Sequence, residues 1–137
     1  MTDTDDRAAL VAAAWNAREA AICTYSGFAV GAALRDDQGR VWTGANVENA
    51  SYTLGLCAER VAIFHALTHG GRGFREVVVA TDTPTPTSPC GACRQILWEF
   101  APQATVTMVA RGGVSATVTV AELVPLAFDH GALARAR

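Results

Sequence analysis

The chain has 137 residues, half of them hydrophobic, with a formal net charge of −2 and four cysteines. A chain of this length buries one core, so we predict a single domain spanning 1–137. The slightly acidic balance lacks the basic excess that nucleic-acid binding requires, which disfavours a polynucleotide substrate, and no apolar stretch is long enough to cross a bilayer. The acidic N-terminus precedes no apolar segment typical of a signal peptide, so we expect a cytoplasmic protein.

Hydrophobic periodicity predicts alternating helices and strands. In chain order, we predict a helix over 5–22, strands over about 29–35 and 40–46, a helix over about 57–69, a strand over 77–80, a helix from about 90 to 102, strands over 105–110 and 114–120, and a short helix from about 120. Turn-forming residues at 36–39 favour a hairpin, and the segment 83–89 is too proline-rich for regular structure. Interleaved helices and strands indicate a layered α/β domain with one mixed sheet.

Cysteines and one glutamate are grouped in two segments that carry the chemistry. The first is Cys57-Ala58-Glu59-Arg60, and the second is Pro89-Cys90-Gly91-Ala92-Cys93. A metal ligand, any residue and Glu, followed at a distance by Pro-Cys-x-x-Cys, is the pattern of the zinc deaminases that act on nucleobases. The sequence therefore predicts a zinc ion bound by Cys57, Cys90 and Cys93.

Both segments are expected at the start of a helix, which decides how they can share one ion. Side chains two residues apart do not share a helix face, so Cys57 and Glu59 serve one site only if it lies off the helix N-terminus. Two converging N-termini then offer three thiolates and leave the fourth tetrahedral position for water, as in catalytic zinc sites. Three thiolates around Zn²⁺ leave the cluster with one net negative charge, which the helix N-termini and hydrogen bonds from Arg60 offset.

Glu59, which is not a ligand in this pattern, is the predicted general base and acid. It would take a proton from the activated water, hand it to a ring nitrogen of a bound base, and later deliver a proton to the departing amine. This sequence of transfers is a hydrolytic deamination.

Other interpretations of the cysteines stay open at this point. A lone Cys-x-x-Cys is also typical of thioredoxin-like redox pairs, and Cys57 and Cys23 could be inert buried thiols. A purely structural zinc site needs a fourth protein ligand, and the remaining candidates are Cys23, His65, His69 and His130. We interpret His65 and His69, two and three turns down the helix from Cys57, as surface or packed residues. Cys23 we interpret as a small buried residue.

Several segments of the chain resemble those of the small homotetrameric cytidine deaminases. They are residues 25–34 (YSGFAVGAAL), 46–52 (NVENASY), the two cysteine segments, and 123–128 (LVPLAF). The resemblance covers nearly the whole chain. It implies a three-layer α/β/α fold around a five-stranded mixed sheet, one Zn²⁺ per subunit, and nucleoside sites shared between the subunits of a homotetramer.

The resemblance also implies which residues bind the nucleoside. Asn46 and Glu48 would hydrogen-bond the ribose 3′-hydroxyl, and Phe28 would pack on the base. Tyr52 would reach the sugar of a neighbouring subunit's site, and Phe128 would close over a neighbour's base. The full substrate-binding set is Phe28, Asn46, Glu48, Ala50, Tyr52, Ala58 and Phe128, in which Ala50 acts with Tyr52.

Ordinary structural roles fit the same residue types. Phe28 could belong to the core, Tyr52 and Phe128 could be packing or interface aromatics, and Asn46 and Glu48 could be turn residues on a solvated loop. Two positions depart from the family pattern. Ile22 stands where the family usually has an aromatic residue, and Thr24 stands in place of a proline.

The function implied by the resemblance is zinc-dependent hydrolysis of cytidine and 2′-deoxycytidine to uridine and 2′-deoxyuridine, within pyrimidine salvage. A first alternative is deamination of a modified cytosine nucleoside such as blasticidin S, although Arg60 and Phe128 favour cytidine. A second is a non-catalytic, zinc-stabilised module that acts through its tetramer interfaces. The presence of Glu59, which such a module does not need, argues against it. The expected partner is thus a small nucleoside, not a nucleic acid or a membrane.

Overall fold

The computed structural model describes residues 3–136, so residues 1–2 and 137 of the predicted domain lie outside the described residues. The elements in chain order are α1 (Asp3–Arg18), β1 (Val30–Arg35), β2 (Val41–Ala45), α2 (Ala58–Thr68), β3 (Glu76–Thr81), α3 (Gly91–Phe100), β4 (Thr105–Val109), β5 (Ser115–Thr119), α4 (Val120–Leu123) and α5 (His130–Arg135). Short 3-10 turns occupy Tyr52–Leu54 and Arg111–Gly113. The strands form one five-stranded sheet in the order β2-β1-β3-β4-β5. Only the β3–β4 pair is parallel, so the sheet is mixed.

The two faces of the sheet carry separate hydrophobic clusters, because successive strand residues point to opposite faces. On one face, Leu10 and Ala14 of α1 pack against Ala33 and Val78. On the other face, residues of α2 and α3 pack against the intervening strand positions, such as Leu34. The predicted three-layer α/β/α arrangement is therefore confirmed.

Two glycines allow helices to lie unusually close to the sheet. A Cβ atom at Gly31 would lie 2.0 Å from the carbonyl oxygen of Ala14 in α1, and one at Gly44 would lie 2.5 Å from the backbone nitrogen of Ala62 in α2. No side chain fits such spaces, so both positions require glycine. The close approach at Gly44 fixes the position of α2, the helix that begins after Cys57.

The first helix is shorter than predicted. It ends at Arg18 rather than near Ile22, and Ile22 instead forms a parallel bridge with Val47. The Ile22 N–H donates to the Asn46 carbonyl at 2.9 Å, and the Ile22 carbonyl accepts from the Glu48 N–H at 2.8 Å. This pairing takes the place of the last predicted turn of the helix. It joins the segment after α1 to the chain that follows β2.

The C-terminal region holds one helix more than predicted. The short helix expected near residue 120 is α4, and α5 follows it. The Asp129 side chain caps α5 by accepting from the Ala132 N–H at 3.0 Å. Within residues 3–136, no helix combines the length and apolarity needed to cross a membrane.

Candidate metal centre and active site

Two helix starts bring three cysteines together. Cys57 is the N-cap of α2, Cys90 is the N-cap of α3, and Cys93 lies buried in the first turn of α3. The three Sγ atoms all lie within 4.8 Å of one another, with 3.6 Å between those of Cys57 and Cys90. In the part of the chain that the structure describes, this is the one cluster of three or more His, Cys, Asp or Glu side chains that could hold a metal ion. Cys23 does not belong to it. Three thiol donors at this spacing fit a zinc ion.

The backbone explains why these sulfurs are available. Cys57 and Cys90 both have extended conformations, with φ and ψ of −72° and 154°, and of −65° and 164°. Neither side chain caps its helix, whereas the Cys57 carbonyl accepts from the Arg60 N–H at 3.1 Å and the Cys90 carbonyl from the Arg94 N–H at 3.0 Å. The backbone thus starts each helix, the sulfur is left for a metal, and the positive ends of two helices face the thiolates.

Arg60 supplies a further positive charge at the cluster. Its Nη2 donates to the Cys57 Sγ at 3.5 Å. The pKa of Cys57 is lowered to about 5, because the Cys93 thiol donates a hydrogen bond to its sulfur and Arg60 adds a second one. The same thiol–thiolate bond raises the pKa of Cys93. Negative charge is therefore held most stably on Cys57, beside the guanidinium.

Glu59 is a buried carboxyl group at the same helix start, with only 4% of its surface exposed. Burial disfavours its charged form and raises its pKa, and the nearby Cys57 thiolate acts in the same direction. A carboxyl group with a raised pKa can both accept and return protons near neutral pH, as a shuttle between water and a substrate must.

A cleft of about 250 Å³ contains this chemistry. Its lining residues come from the start of α2, the loop before α3, the ends of β1 and β3, and the residues next to β1 and β2: Phe28, Val30, Asn46, Cys57, Ala58, Glu59, Val79, Thr81, Thr87, Ser88 and Cys90. Phe28 is 42% exposed, so it is a wall of the cleft rather than a core residue. Cys57 and Glu59 share this cleft because both lie at the N-terminal end of α2.

A second cleft of about 410 Å³ adjoins the first, since Asn46 and Cys57 line both. Glu48, Tyr52 and Arg60 are among its other lining residues. The Tyr25 and Tyr52 rings lie edge to face there, with centroids 5.9 Å apart. The two clefts together extend from the thiol cluster to an exposed aromatic rim.

Asn46 and Glu48 are engaged with the neighbouring loop rather than free in solvent. The Asn46 Oδ1 accepts from the Val30 N–H, and its Nδ2 donates to the Phe28 carbonyl, both at 2.8 Å. The Glu48 Oε1 accepts from the N–H groups of Tyr25 and Ser26 at 2.9 and 3.0 Å, and its Oε2 accepts from the Ser26 hydroxyl. These bonds, led by that of the Ser26 hydroxyl, lower the pKa of Glu48. Both residues therefore shape the loop that carries Phe28.

Two of the predicted substrate-binding residues lie apart from these clefts. Ala50 is exposed and does not line either one. Phe128 is 60% exposed and likewise lines neither cleft, while its carbonyl accepts from the Gln95 Nε2 at 2.8 Å. Both were predicted to act on a neighbouring subunit's site.

Sequence reasoning did not identify the threonines of the cleft wall. Thr81 ends β3 and is buried, and Thr87 lies in the proline-rich loop just before Pro89. The only indication in the sequence was the polar character of the residues next to the Pro-Cys-x-x-Cys segment.

Comparison with known proteins agrees with this geometry. Residues 4–109 match the family model described as the cytidine and deoxycytidylate deaminase zinc-binding region. The chain is similar to a cytidine deaminase of Halalkalibacterium halodurans, with 47% identity over 124 residues, which are 90% of this chain and 94% of the relative. A crystal structure of cytidine deaminase from Burkholderia pseudomallei matches with a TM-score of 0.86 and 44% identity, over 93% of this chain and 100% of that one. A blasticidin-S deaminase of Bacillus cereus is 32% identical over 110 residues, 74% of this chain and 77% of the relative.

Proposed function

The chain belongs to the cytidine and deoxycytidylate deaminase family, and from this premise we propose that it hydrolyses cytidine and 2′-deoxycytidine to uridine and 2′-deoxyuridine, releasing ammonia. The observation that carries the proposal is the meeting of three thiol ligands and the buried carboxyl of Glu59 at two helix N-termini. Such an activity belongs to pyrimidine salvage, in the cytoplasm.

Zinc is the cofactor, and Cys57, Cys90 and Cys93 are the residues that would hold it. Bound zinc supplies Lewis acidity, which lowers the pKa of a water molecule towards neutrality. Arg60 offsets the negative charge of the thiolates through its hydrogen bond to Cys57. A less negative ligand set makes the cation a stronger acid, so Arg60 supports the reaction through its contact with a metal ligand.

Glu59 moves the protons. Its carboxylate takes one from the attacking water and delivers it to the ring nitrogen of the base. It then takes the second water proton from the hydroxyl group that is now bonded to the ring carbon and passes it to the amine, which leaves as ammonia while the carbonyl forms. The burial of Glu59 supports this role because desolvation raises the pKa of the carboxyl group, so that it holds an accepted proton more readily than an exposed carboxyl group does. Transfers of this kind contribute about 10²–10⁴-fold to the rate.

Residues of the two clefts would position the nucleoside. Phe28 would pack on the base, which its position in the cleft wall supports, and Ala58 would lie under the base as a small buried residue next to Glu59. Asn46 and Glu48 keep hydrogen-bonding capacity beyond the loop bonds that they already make, and this capacity would serve the ribose hydroxyls. Their loop bonds pre-orient both side chains.

We further infer a homotetramer in which neighbouring subunits complete each site. Large apolar side chains near the rim and in the C-terminal region are strongly exposed in the single chain: Tyr52 at 77%, Leu54 at 72%, Leu126 at 103% and Phe128 at 60%. Exposed apolar groups of this size are typical of subunit interfaces. In that assembly Ala50 and Tyr52 would contact a neighbour's sugar, and Phe128 would cover a neighbour's base. A site enclosed in this way admits a nucleoside and not a polynucleotide.

A modified cytosine nucleoside is the second candidate substrate, supported by the 32% identity to a blasticidin-S deaminase. Identity to the cytidine deaminase relative is higher, at 47%, and covers more of the chain. A non-catalytic module is the weaker third candidate, because nothing in such a module requires a buried Glu59.

The deciding experiment is a steady-state ultraviolet assay of the purified protein with cytidine and 2′-deoxycytidine, before and after a chelator strips the metal. Turnover that disappears with zinc and returns when zinc is restored supports the proposal. If a folded, zinc-loaded sample converts blasticidin S but neither nucleoside, the second candidate replaces the first. Inactivity on all three substrates would favour the non-catalytic module.

A further inference from the structure

Three threonine hydroxyls form a relay behind the wall of the cleft that holds Glu59. The Thr83 Oγ1 lies 2.8 Å from the Thr81 Oγ1, 3.3 Å from the Thr87 Oγ1 and 2.7 Å from the carbonyl oxygen of Thr85. Thr81 and Thr87 line the cleft, whereas Thr83 does not. Thr83 is therefore in contact with the wall without being part of it.

The direction of each hydrogen bond in the relay can be deduced. A hydroxyl group has one proton and two lone pairs, and a carbonyl oxygen can only accept. The Thr83 proton must therefore point to the Thr85 carbonyl, which leaves two lone pairs on Thr83. The hydroxyls of Thr81 and Thr87 can bond to Thr83 only by donating their own protons. With those protons used, both wall hydroxyls have only lone pairs to offer to a molecule in the cleft.

The loop around the relay is fixed at both ends. On one side, Arg111 donates from its backbone N–H to the Thr83 carbonyl at 2.9 Å and from its Nε to the Asp82 Oδ1 at 2.6 Å. On the other side, Arg94 donates to the Ser88 Oγ at 2.9 Å and to the Pro89 carbonyl at 2.8 Å. A loop anchored in this way keeps Thr83 between the two wall threonines.

We propose that Thr83 is a positioning residue that makes this wall an acceptor surface, which favours the amino-bearing substrate over the carbonyl-bearing product. The inference rests on the proposed function. Deamination replaces the exocyclic amine of the base, a hydrogen-bond donor, with a carbonyl oxygen, an acceptor. Thr81 and Thr87 share the cleft with Cys57, Glu59 and Cys90, so the exocyclic group at the reacting carbon is expected against this wall. There, an acceptor wall pairs with the amine of a bound substrate and opposes lone pairs to the carbonyl oxygen of a bound product, so it weakens product binding and speeds product release.

The test compares substrate and product binding in Thr83→Val. Loss of the Thr83 oxygen frees the Thr81 and Thr87 protons, which can then rotate and donate to a carbonyl group. We expect the ratio of the competitive inhibition constant of uridine to the KM of cytidine to fall by about 3- to 10-fold, the effect of one neutral hydrogen bond. Thr83→Ser keeps the hydroxyl and should retain the wild-type ratio. Thr85→Val removes a hydroxyl from the same loop but keeps the carbonyl, and should also retain it.

Thr87→Val gives a second, independent measurement, because it removes one acceptor from the wall itself and should lower the same ratio. The inference is wrong if Thr83→Val leaves the ratio unchanged or moves both constants by one common factor, as a general loop disturbance would. It is equally wrong if Thr83→Ser behaves like Thr83→Val. Failure of the proposed function is recognised separately, since the wild-type enzyme itself would then not turn over cytidine.

Discussion

The metal end of the site and its nucleoside rim are built in opposite ways. The metal end, formed by Cys57, Glu59, Cys90 and Cys93, lies at two helix starts that are backed by the core. The proposed rim combines Phe28, Glu48 and Tyr52 of the clefts with Phe128 of a neighbouring copy. These four residues lie outside the α-helices and strands, and their aromatic rings are exposed. One chain supplies the whole metal end, whereas the rim remains open. On the proposed function, chemistry depends on internal packing, whereas recognition would depend on surfaces that further copies of the chain complete.

Cys93→Ala should have the largest effect, because it removes a buried ligand of the metal end. We expect zinc content, measured by mass spectrometry of the metal, to fall to background together with cytidine turnover, and the thermal midpoint to drop with the lost metal. Cys23→Ala is the matched control, since Cys23 lies outside the cluster, and it should keep both. Full zinc content and turnover in Cys93→Ala would show that the metal is held elsewhere.

Glu59→Gln should separate chemistry from structure within the metal end. The amide is nearly isosteric but cannot shuttle protons, so kcat should fall by about 10²–10⁴-fold. Zinc content and thermal midpoint should stay close to those of the wild type. An unchanged kcat in a zinc-loaded Glu59→Gln protein would show that another group moves the protons.

Phe128→Ala addresses the rim, where the expected effect is smaller and of another kind. If Phe128 covers a neighbour's base, the KM for cytidine should rise by about 5- to 10-fold, in line with the loss of one aromatic contact. The proposed tetramer should begin to dissociate at a higher protein concentration than that of the wild type, as measured by light scattering during size-exclusion chromatography, while zinc content stays constant. The shared-site proposal is to be dropped if neither KM nor assembly changes.

Ser26→Ala should have the smallest effect, because it removes a single hydroxyl that holds Glu48. The Ser26 bonds lower the pKa of Glu48, so their partial loss should raise it. A carboxylate that binds ribose is then protonated at a higher pH, and the acidic limb of the kcat/KM profile should shift to higher pH. Above that limb, we expect the KM to rise only about twofold. Identical pH profiles for variant and wild type would argue against a ribose role for Glu48.

The same contrast explains what the sequence could reveal. The spacing of the residues predicted that the three thiols and Glu59 share one site. A helix start is a local structure, so Cys57 and Glu59 could be placed together from the sequence alone. Periodicity predicted a layered α/β domain with one mixed sheet, whereas the three layers and the five strands were implied by the resemblance to the cytidine deaminases. The early end of α1 was not foreseen, because Ile22 gains a tertiary bridge to Val47 that no local pattern encodes. The roles of Thr81 and Thr87 likewise depend on the path of a proline-rich loop, which only the folded structure defines.

Gly44 constrains the position of α2, and through it the position of Glu59, although Gly44 itself lies outside the clefts. Because the backbone of α2 lies where a side chain at this position would be, any larger residue must lift or tilt the helix that begins after Cys57. A displacement there moves Glu59 relative to Cys90 and Cys93, which are held by a different helix. In a survey of mutational tolerance, position 44 would then look like an active-site position, although it lines neither cleft. Distance from the substrate is therefore a poor guide to which replacements this enzyme can accept.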